Sequence, residues 1–213
     1  MSSRSPSLTL VVSALIAGST ACWAGIPKAD LREGDILFQT SQSTQSQAIQ
    51  LATHSRWSHM GMLVLDRGQL KVLEAVQPVR MTPLDQWVSH GEGGQVVVKR
   101  LLDADKVLTP LTLDRMRRTG RGFLGRGYDL TFEWDDRRLY CSELVWKVYD
   151  RGAGVQLSTL HHLSDFDFSA PAVQKVMRRR YGQHFPLEEP AVSPEDIFES
   201  SRLRMIWSNV GAR

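Results

Sequence analysis

The stretch Tyr140-Cys141-Ser142-Glu143-Leu144-Val145-Trp146-Lys147-Val148-Tyr149 decides how the rest of the chain is read. Leu144, Val145 and Val148 recur at helical spacing and predict a buried helical stripe. Glu143 falls in the first turn, where a negative charge suits the positive end of the helix dipole. Gly152 and Gly154 read as punctuation at the C-terminus. Cys141 then stands on the first turn, a position that favours a thiolate. The competing reading is a small buried hydrophobe, and residues elsewhere in the chain decide between the two.

The chain has 213 residues, 42% hydrophobic and 23% charged, as expected of one globular domain. A formal charge of +3 is mild, and no basic stripe interleaves with aromatics, so nucleic acid is not an expected partner. Residues 1–24 have the layout of a secretory signal. A short polar start carries Arg4, residues 8–17 are mostly apolar, and small residues lead to a cut after Ala24. The apolar run is too short to span a bilayer. A retained interfacial anchor is one alternative. Lipid attachment at Cys22 is another, although Ser19 stands where that processing wants an aliphatic residue. The expectation is a secreted or periplasmic protein, with residues 25–213 as a single domain and no stable membrane span once the signal is removed. Loss of residues 1–24 leaves Cys141 as the only cysteine. A lone thiol cannot close an internal disulfide and becomes a candidate reactive group.

Trp57-Ser58-His59-Met60-Gly61-Met62-Leu63-Val64-Leu65 and Leu70-Lys71-Val72-Leu73-Glu74-Ala75-Val76 flank Asp66-Arg67-Gly68-Gln69, which predicts a β-hairpin. If Asp66 faces Gln69, Gly61 faces Glu74 and His59 faces Val76. His59, Gly61 and Glu74 then share one face, with His59 and Glu74 diagonal across a residue that has no side chain. A three-residue turn would shift the register and separate them. Glu74 sits among Val72, Leu73, Ala75 and Val76, where a carboxylate seldom stands without a partner.

Elsewhere, Ile36-Leu37-Phe38 predicts a short buried strand and residues 46–52 a short helix after a polar loop. Residues 83–89 read as a helix with Thr82 as N-cap and Pro83 at its first position, and residues 96–101 as a strand. Residues 111–123 read as an amphipathic helix whose face of Arg115, Arg117, Arg118 and Arg121 is solvated surface. Residues 171–181 are expected to be helical, and Ser193-Pro194-Glu195-Asp196 opens another helix. Residues 203–207 fit either a last strand or the tail of that helix.

Cys141, His59 and Glu74 supply a nucleophile, a base and a group to orient the base. They predict attack on an amide or ester, a thioester intermediate and its hydrolysis. The backbone N–H of Cys141 can face an oxyanion, and Tyr140 and Ser142 are further candidate donors. In papain-like enzymes the cysteine helix precedes the histidine strand; here the histidine comes first, an order that a circular permutation produces. Four segments, Gly34-Asp35-Ile36-Leu37-Phe38, Trp57-Ser58-His59-Met60-Gly61, Leu73-Glu74-Ala75 and Tyr140-Cys141-Ser142-Glu143-Leu144-Val145, resemble the permuted papain-like family of YiiX/YaeF type, related to NlpC-type cell-wall peptidases and lecithin:retinol acyltransferase-like proteins. The resemblance spans about residues 31–150. It implies an α+β fold with a small antiparallel sheet against the cysteine helix, and a Cys-His-Glu site at Cys141, His59 and Glu74. It also implies hydrolysis of amide bonds in small peptides or acylated amines without a cofactor.

Three further readings compete with a cysteine amidase or peptidase acting on cell-wall-derived peptides. One is acyl transfer or removal on lipid-like amides or esters by the same triad. Another is a non-catalytic module that binds muropeptide or lipid. The last is a metal site, either at His54, His59 and Glu74, which leaves Cys141 unexplained, or at His161-His162 beside Asp165 and Asp167.

Overall fold

In the computed structural model the described residues are 26–43 and 45–211, so the expected signal segment and Cys22 lie outside them. The first half comprises β1 (Ile36–Gln39), α1 (Ser46–Thr53), β2 (His59–Asp66), β3 (Gln69–Glu74), β4 (Arg80–Pro83), α2 (Leu84–Ser89) and β5 (Val97–Leu101). Then come α3 (Ala104–Val107), α4 (Pro110–Phe123), β6 (Gly127–Tyr128), β7 (Arg138–Leu139) and α5 (Cys141–Ala153). The chain continues through β8 (His161–His162), α6 (Pro171–Tyr181), β9 (Pro190–Ala191), α7 (Pro194–Phe198) and β10 (Leu203–Ser208). Six strands make one antiparallel sheet in the order β10-β5-β1-β2-β3-β4.

The hairpin of β2 and β3 sets the register of His59 and Glu74. Arg67 and Gly68 both take positive φ, +50° and +79°, as a two-residue type I′ turn requires. Asp66 therefore pairs with Gln69 and Met62 with Leu73, the register expected from the sequence. Gly61 lies at the closest approach of the two strands. A Cβ there would come within 2.5 Å of Val72 Cγ1 and 2.8 Å of the Leu73 carbonyl oxygen.

One face of the sheet packs against α4 and α5, where Met60, Met62 and Leu73 meet Met116, Leu144, Val145 and Val148. Leu144, Val145 and Val148 are fully buried, each contributing about 1.5–3 kcal/mol of apolar transfer. The other face carries Leu37, Leu63, Val72, Trp87 and Val98. A third cluster, built on Ala48 of α1 and on Leu163, Val173, Met177 and Ala191, belongs to the C-terminal part of the chain. Two buried polar anchors hold α5 and β1 in place: the Tyr149 hydroxyl donates to the Gly34 carbonyl, and Asp35 accepts two hydrogen bonds from Arg100 at 2.6 and 2.7 Å.

Two local expectations change. Thr82 is not a helix cap but a β4 residue opposite Val72, because residues 80–83 pair with β3 and the helix starts only at Leu84. Glu143 is fully buried, so its partner is Lys147 at 2.7 Å more than the helix dipole; its own carboxylate also accepts from the Tyr140 N–H at 3.3 Å. Of the two readings for residues 203–207, the last strand is the one formed: residues 203–208 pair along the edge of β5.

Candidate active site

His59 opens β2 and Glu74 closes β3, and both side chains are buried. Nε2 of His59 lies 2.7 Å from Oε2 of Glu74. The two residues face each other across Gly61 because the turn fixed the register and a glycine left the diagonal open. The second carboxylate oxygen of Glu74 accepts from the Thr82 hydroxyl and, at 3.4 Å, from Arg80 Nε. The imidazole stacks on Trp87, ring centroids 5.9 Å apart and planes 28° apart. With Nε2 committed to Glu74, Nδ1 is the ring nitrogen left over, and Cys141 is near enough to the imidazole to help raise its pKa.

The electrostatics favour a charged pair. Burial opposes the positive charge on His59, but the hydrogen bonds to Cys141 and Glu74 outweigh it and raise its pKa to about 10. Burial pushes the Glu74 carboxyl up most strongly, but the hydrogen bond and charge of His59, the Thr82 hydroxyl and the Arg80 charge together outweigh it and hold it below the usual carboxylate range. Cys141, only 2% exposed, begins α5. The neighbouring hydroxyls both bond to Val192. Ser142 Oγ donates to the Val192 carbonyl at 2.7 Å, and the Tyr140 hydroxyl accepts from the Val192 N–H at 3.2 Å. Both tie α5 to the segment before α7; the Ser142 hydroxyl hydrogen is spent there, whereas Tyr140 accepts and keeps its own hydrogen to donate.

Thr82, Trp87 and Gln39 are the neighbours that sequence reasoning missed. Gln39 pairs across β1 and β2 with His59, and its side-chain amide is buried with no hydrogen-bond partner. A glutamine closing the apolar run Ile36-Leu37-Phe38 was the available signal. The other histidines of the metal readings lie in ion pairs. His54 pairs with Asp167 at 3.1 Å, His161 with Asp165 and Asp196, and His162 with Glu188. On the basic face of α4, Arg117 pairs with Glu33, Arg118 with Asp114 and Arg121 with Asp66, and the Arg115 guanidinium donates to the Gly152 carbonyl, which leaves no cluster of free charge for an anion.

A six-stranded antiparallel sheet with a cysteine-bearing helix on one face and the histidine earlier in the chain defines a permuted papain-like architecture. The chain belongs to that class: residues 30–207 match the model of the permuted papain-like amidase enzymes, YaeF/YiiX, C92 family. The uncharacterized protein YiiX of Escherichia coli strain K12 is 42% identical over 197 residues, which is 92% of this chain and 93% of that protein. The crystal structure of metalloprotein yiiX from Escherichia coli O157:H7 is similar with a TM-score of 0.80 and 45% identity, covering 84% of this chain and 98% of that one.

Proposed function

We propose that this family member is a cysteine amidase in which Cys141 is the nucleophile, His59 the general base and acid, and Glu74 the residue that orients His59. The observation that supports the reading is the buried His59–Glu74 pair, Nε2 to Oε2 at 2.7 Å, with the imidazole's pKa raised in part by Cys141. His59 already holds the proton that Cys141 has given up, and the thiolate sulfur attacks the carbonyl carbon. The C–N bond breaks and His59 gives the proton to the departing amine. Water then attacks the thioester, its proton passing through His59 to the sulfur, and the carboxylic acid leaves. Glu74 holds Nε2 so that Nδ1 faces the sulfur, and Thr82 holds Glu74.

A signal at residues 1–24 would deliver the enzyme to the periplasm or outside the cell, where peptide and acyl-amine substrates are both available. Among the described residues no helix is long and apolar enough to cross a membrane. The E. coli O157:H7 relative is described as a metalloprotein. In this chain no group of three or more His, Cys, Asp or Glu among the described residues is placed to hold a metal ion, and the Glu74 oxygens are already taken by His59, Thr82 and Arg80. The donor set does not fit a metal, and no step here passes through one.

The test is acyl-enzyme trapping. Incubation with an activated ester followed by peptide mass analysis should show an acyl adduct on Cys141. Cys141→Ala should lose both adduct and turnover, and His59→Ala should slow acylation by about 10²–10⁴. An adduct that forms as fast without His59, or no adduct at all, would leave a binding module in place of an enzyme.

A further inference from the structure

The positive charge of the chain is concentrated in one helix. Residues 168–187, which are α6 and its flanks, carry Lys175, Arg178, Arg179 and Arg180 and not one Asp or Glu. Of the 26 Lys and Arg in the chain, the 22 outside this segment are outnumbered by the 23 Asp and Glu. The formal charge of +3 therefore owes its sign to α6.

The basic residues of α4 and α6 are treated differently by the fold. On α4, Arg117, Arg118 and Arg121 each hold a carboxylate. On α6, among the described residues, none of the four cations lies within ion-pair distance of one. Arg178 donates to Gln174 at 3.3 Å, and Arg180 turns inward to Gln45 at 2.6 Å and to the Phe132 ring. Lys175, Arg178 and Arg179 are exposed and stand at i, i+3 and i+4, so they share one outward face. Cations in the last turn suit the negative end of a helix, but that end amounts to only about half a charge. It cannot neutralise three cations, and the face calls for an anionic partner.

Apolar side chains accompany the C-terminal end of the same helix. The Tyr181 hydroxyl, in its last turn, donates to the Thr131 carbonyl, and the adjoining Leu130 is exposed. Leu187, in the segment that leaves the helix, is exposed as well. Cations accompanied by bare leucines fit the surface of an anionic bilayer, where headgroups meet the cations and the boundary beneath them takes the leucines. A purely acidic polymer would leave the leucines in water. We propose that α6 docks the protein on a membrane surface of anionic phospholipid. The docking face adjoins the candidate site, because Gln45, which holds Arg180, and Leu130 both border the cavity onto which His59 and Glu74 open.

The experiment is sedimentation of the full chain with vesicles of phosphatidylcholine, alone or with about one third phosphatidylglycerol. Each cation near an anionic surface strengthens binding about fivefold, so three should make the anionic vesicles bind roughly 10²-fold tighter than the neutral ones. Salt near 1 M, where the Debye length is about 3 Å, should abolish the difference. An apolar N-terminal stretch, where retained, adds to both arms and cancels in the ratio. The triple variant Lys175→Gln, Arg178→Gln, Arg179→Gln should bring the ratio close to one while its circular dichroism and melting stay those of the parent. The control Arg32→Gln, Arg118→Gln, Arg121→Gln removes as many exposed cations outside α6 and should keep the ratio. Cys141→Ala should bind like the parent, so the docking and the hydrolase reading fail separately. Absent or equal binding to the two vesicles, or a ratio that survives the triple variant, overturns the proposal. Binding to soluble polyglutamate but not to vesicles would assign the face to an acidic polymer instead. Displacement by inorganic phosphate beyond that by chloride of equal ionic strength would mark a discrete anion pocket, and either result overturns the bilayer as the partner.

Discussion

Replacing Gly61 by alanine tests the geometry on which the site depends. The added methyl would stand 2.5 Å from Val72 Cγ1, 2.8 Å from the Leu73 carbonyl oxygen and 3.5 Å from Glu74 Cβ. Carbon atoms prefer about 3.5–4.0 Å, so the first two contacts must open. Val72 can turn, at about 0.5–1.5 kcal/mol for an off-rotamer side chain. The Leu73 carbonyl is backbone and moves only with its strand, weakening hydrogen bonding by a further 0.5–1.5 kcal/mol or so. The total, about 1–3 kcal/mol, matches the usual range for overpacking. In a domain of this size it lowers Tm by roughly 3–10 °C. Because β2 and β3 must separate where His59 and Glu74 meet, the variant should also lose about 10²-fold in kcat/KM, the scale of a displacement near 1 Å. Differential scanning calorimetry and steady-state kinetics on the same preparation measure both. A variant that melts within a degree of the parent and keeps its rate would refute the close approach, and with it the account of how the diagonal pair is held.

Thr82→Val removes the hydroxyl that donates to Glu74; kcat should fall about tenfold with KM nearly unchanged, consistent with a net loss of about 1–1.5 kcal/mol, and an unaltered kcat would free Thr82 from the site. His59 binds its proton more tightly folded than unfolded, since its pKa rises from 6.5 to about 10. Its stabilisation is therefore complete below about pH 6.5 and vanishes as pH climbs through about 10. Glu74, held low, contributes above its unfolded value and loses that contribution on acidification. Tm should accordingly decline on the alkaline side, and His59→Gln should flatten that decline; an equally steep slope in the variant would contradict the assignment. Lys147→Met strands the buried Glu143 carboxyl, whose pKa burial already raises to about 8 against the pull of Lys147. Urea unfolding should report a loss of about 3–5 kcal/mol, largely recovered in the double variant with Glu143→Gln, whereas a single variant as stable as the parent would show that the pair is not strongly coupled.

The parts of this structure legible in the sequence are those governed by local rules. The hairpin register followed from Asp66-Arg67-Gly68-Gln69, because a two-residue turn leaves one pairing. The α5 stripe followed from Leu144, Val145 and Val148. The helix openings at Pro171 and Pro194 followed from proline at the first turn. What stayed hidden depends on distant partners. Thr82 has the local signature of a cap, and only its pairing with Val72 makes it a neighbour of Glu74. Trp87 looks like one more apolar residue until α2 lays it against His59. Glu143 and Lys147 carry the i, i+4 spacing of a solvated pair, and it is burial of nearly the whole of α5 that puts them inside.

The strand β10 has an effect beyond its place at the sheet edge. Leu203 pairs with Leu101 and Ser208 with Val97, so the flank of β5 stays uncovered until almost the last of the described residues has been made. Contacts this remote in sequence close slowly. In the interval Val97-Val98-Lys99-Arg100-Leu101 presents an open, largely apolar edge to which a strand of another molecule can add. Shortened forms ending before residue 203 should therefore clump during synthesis, however intact the groups that surround the thiol.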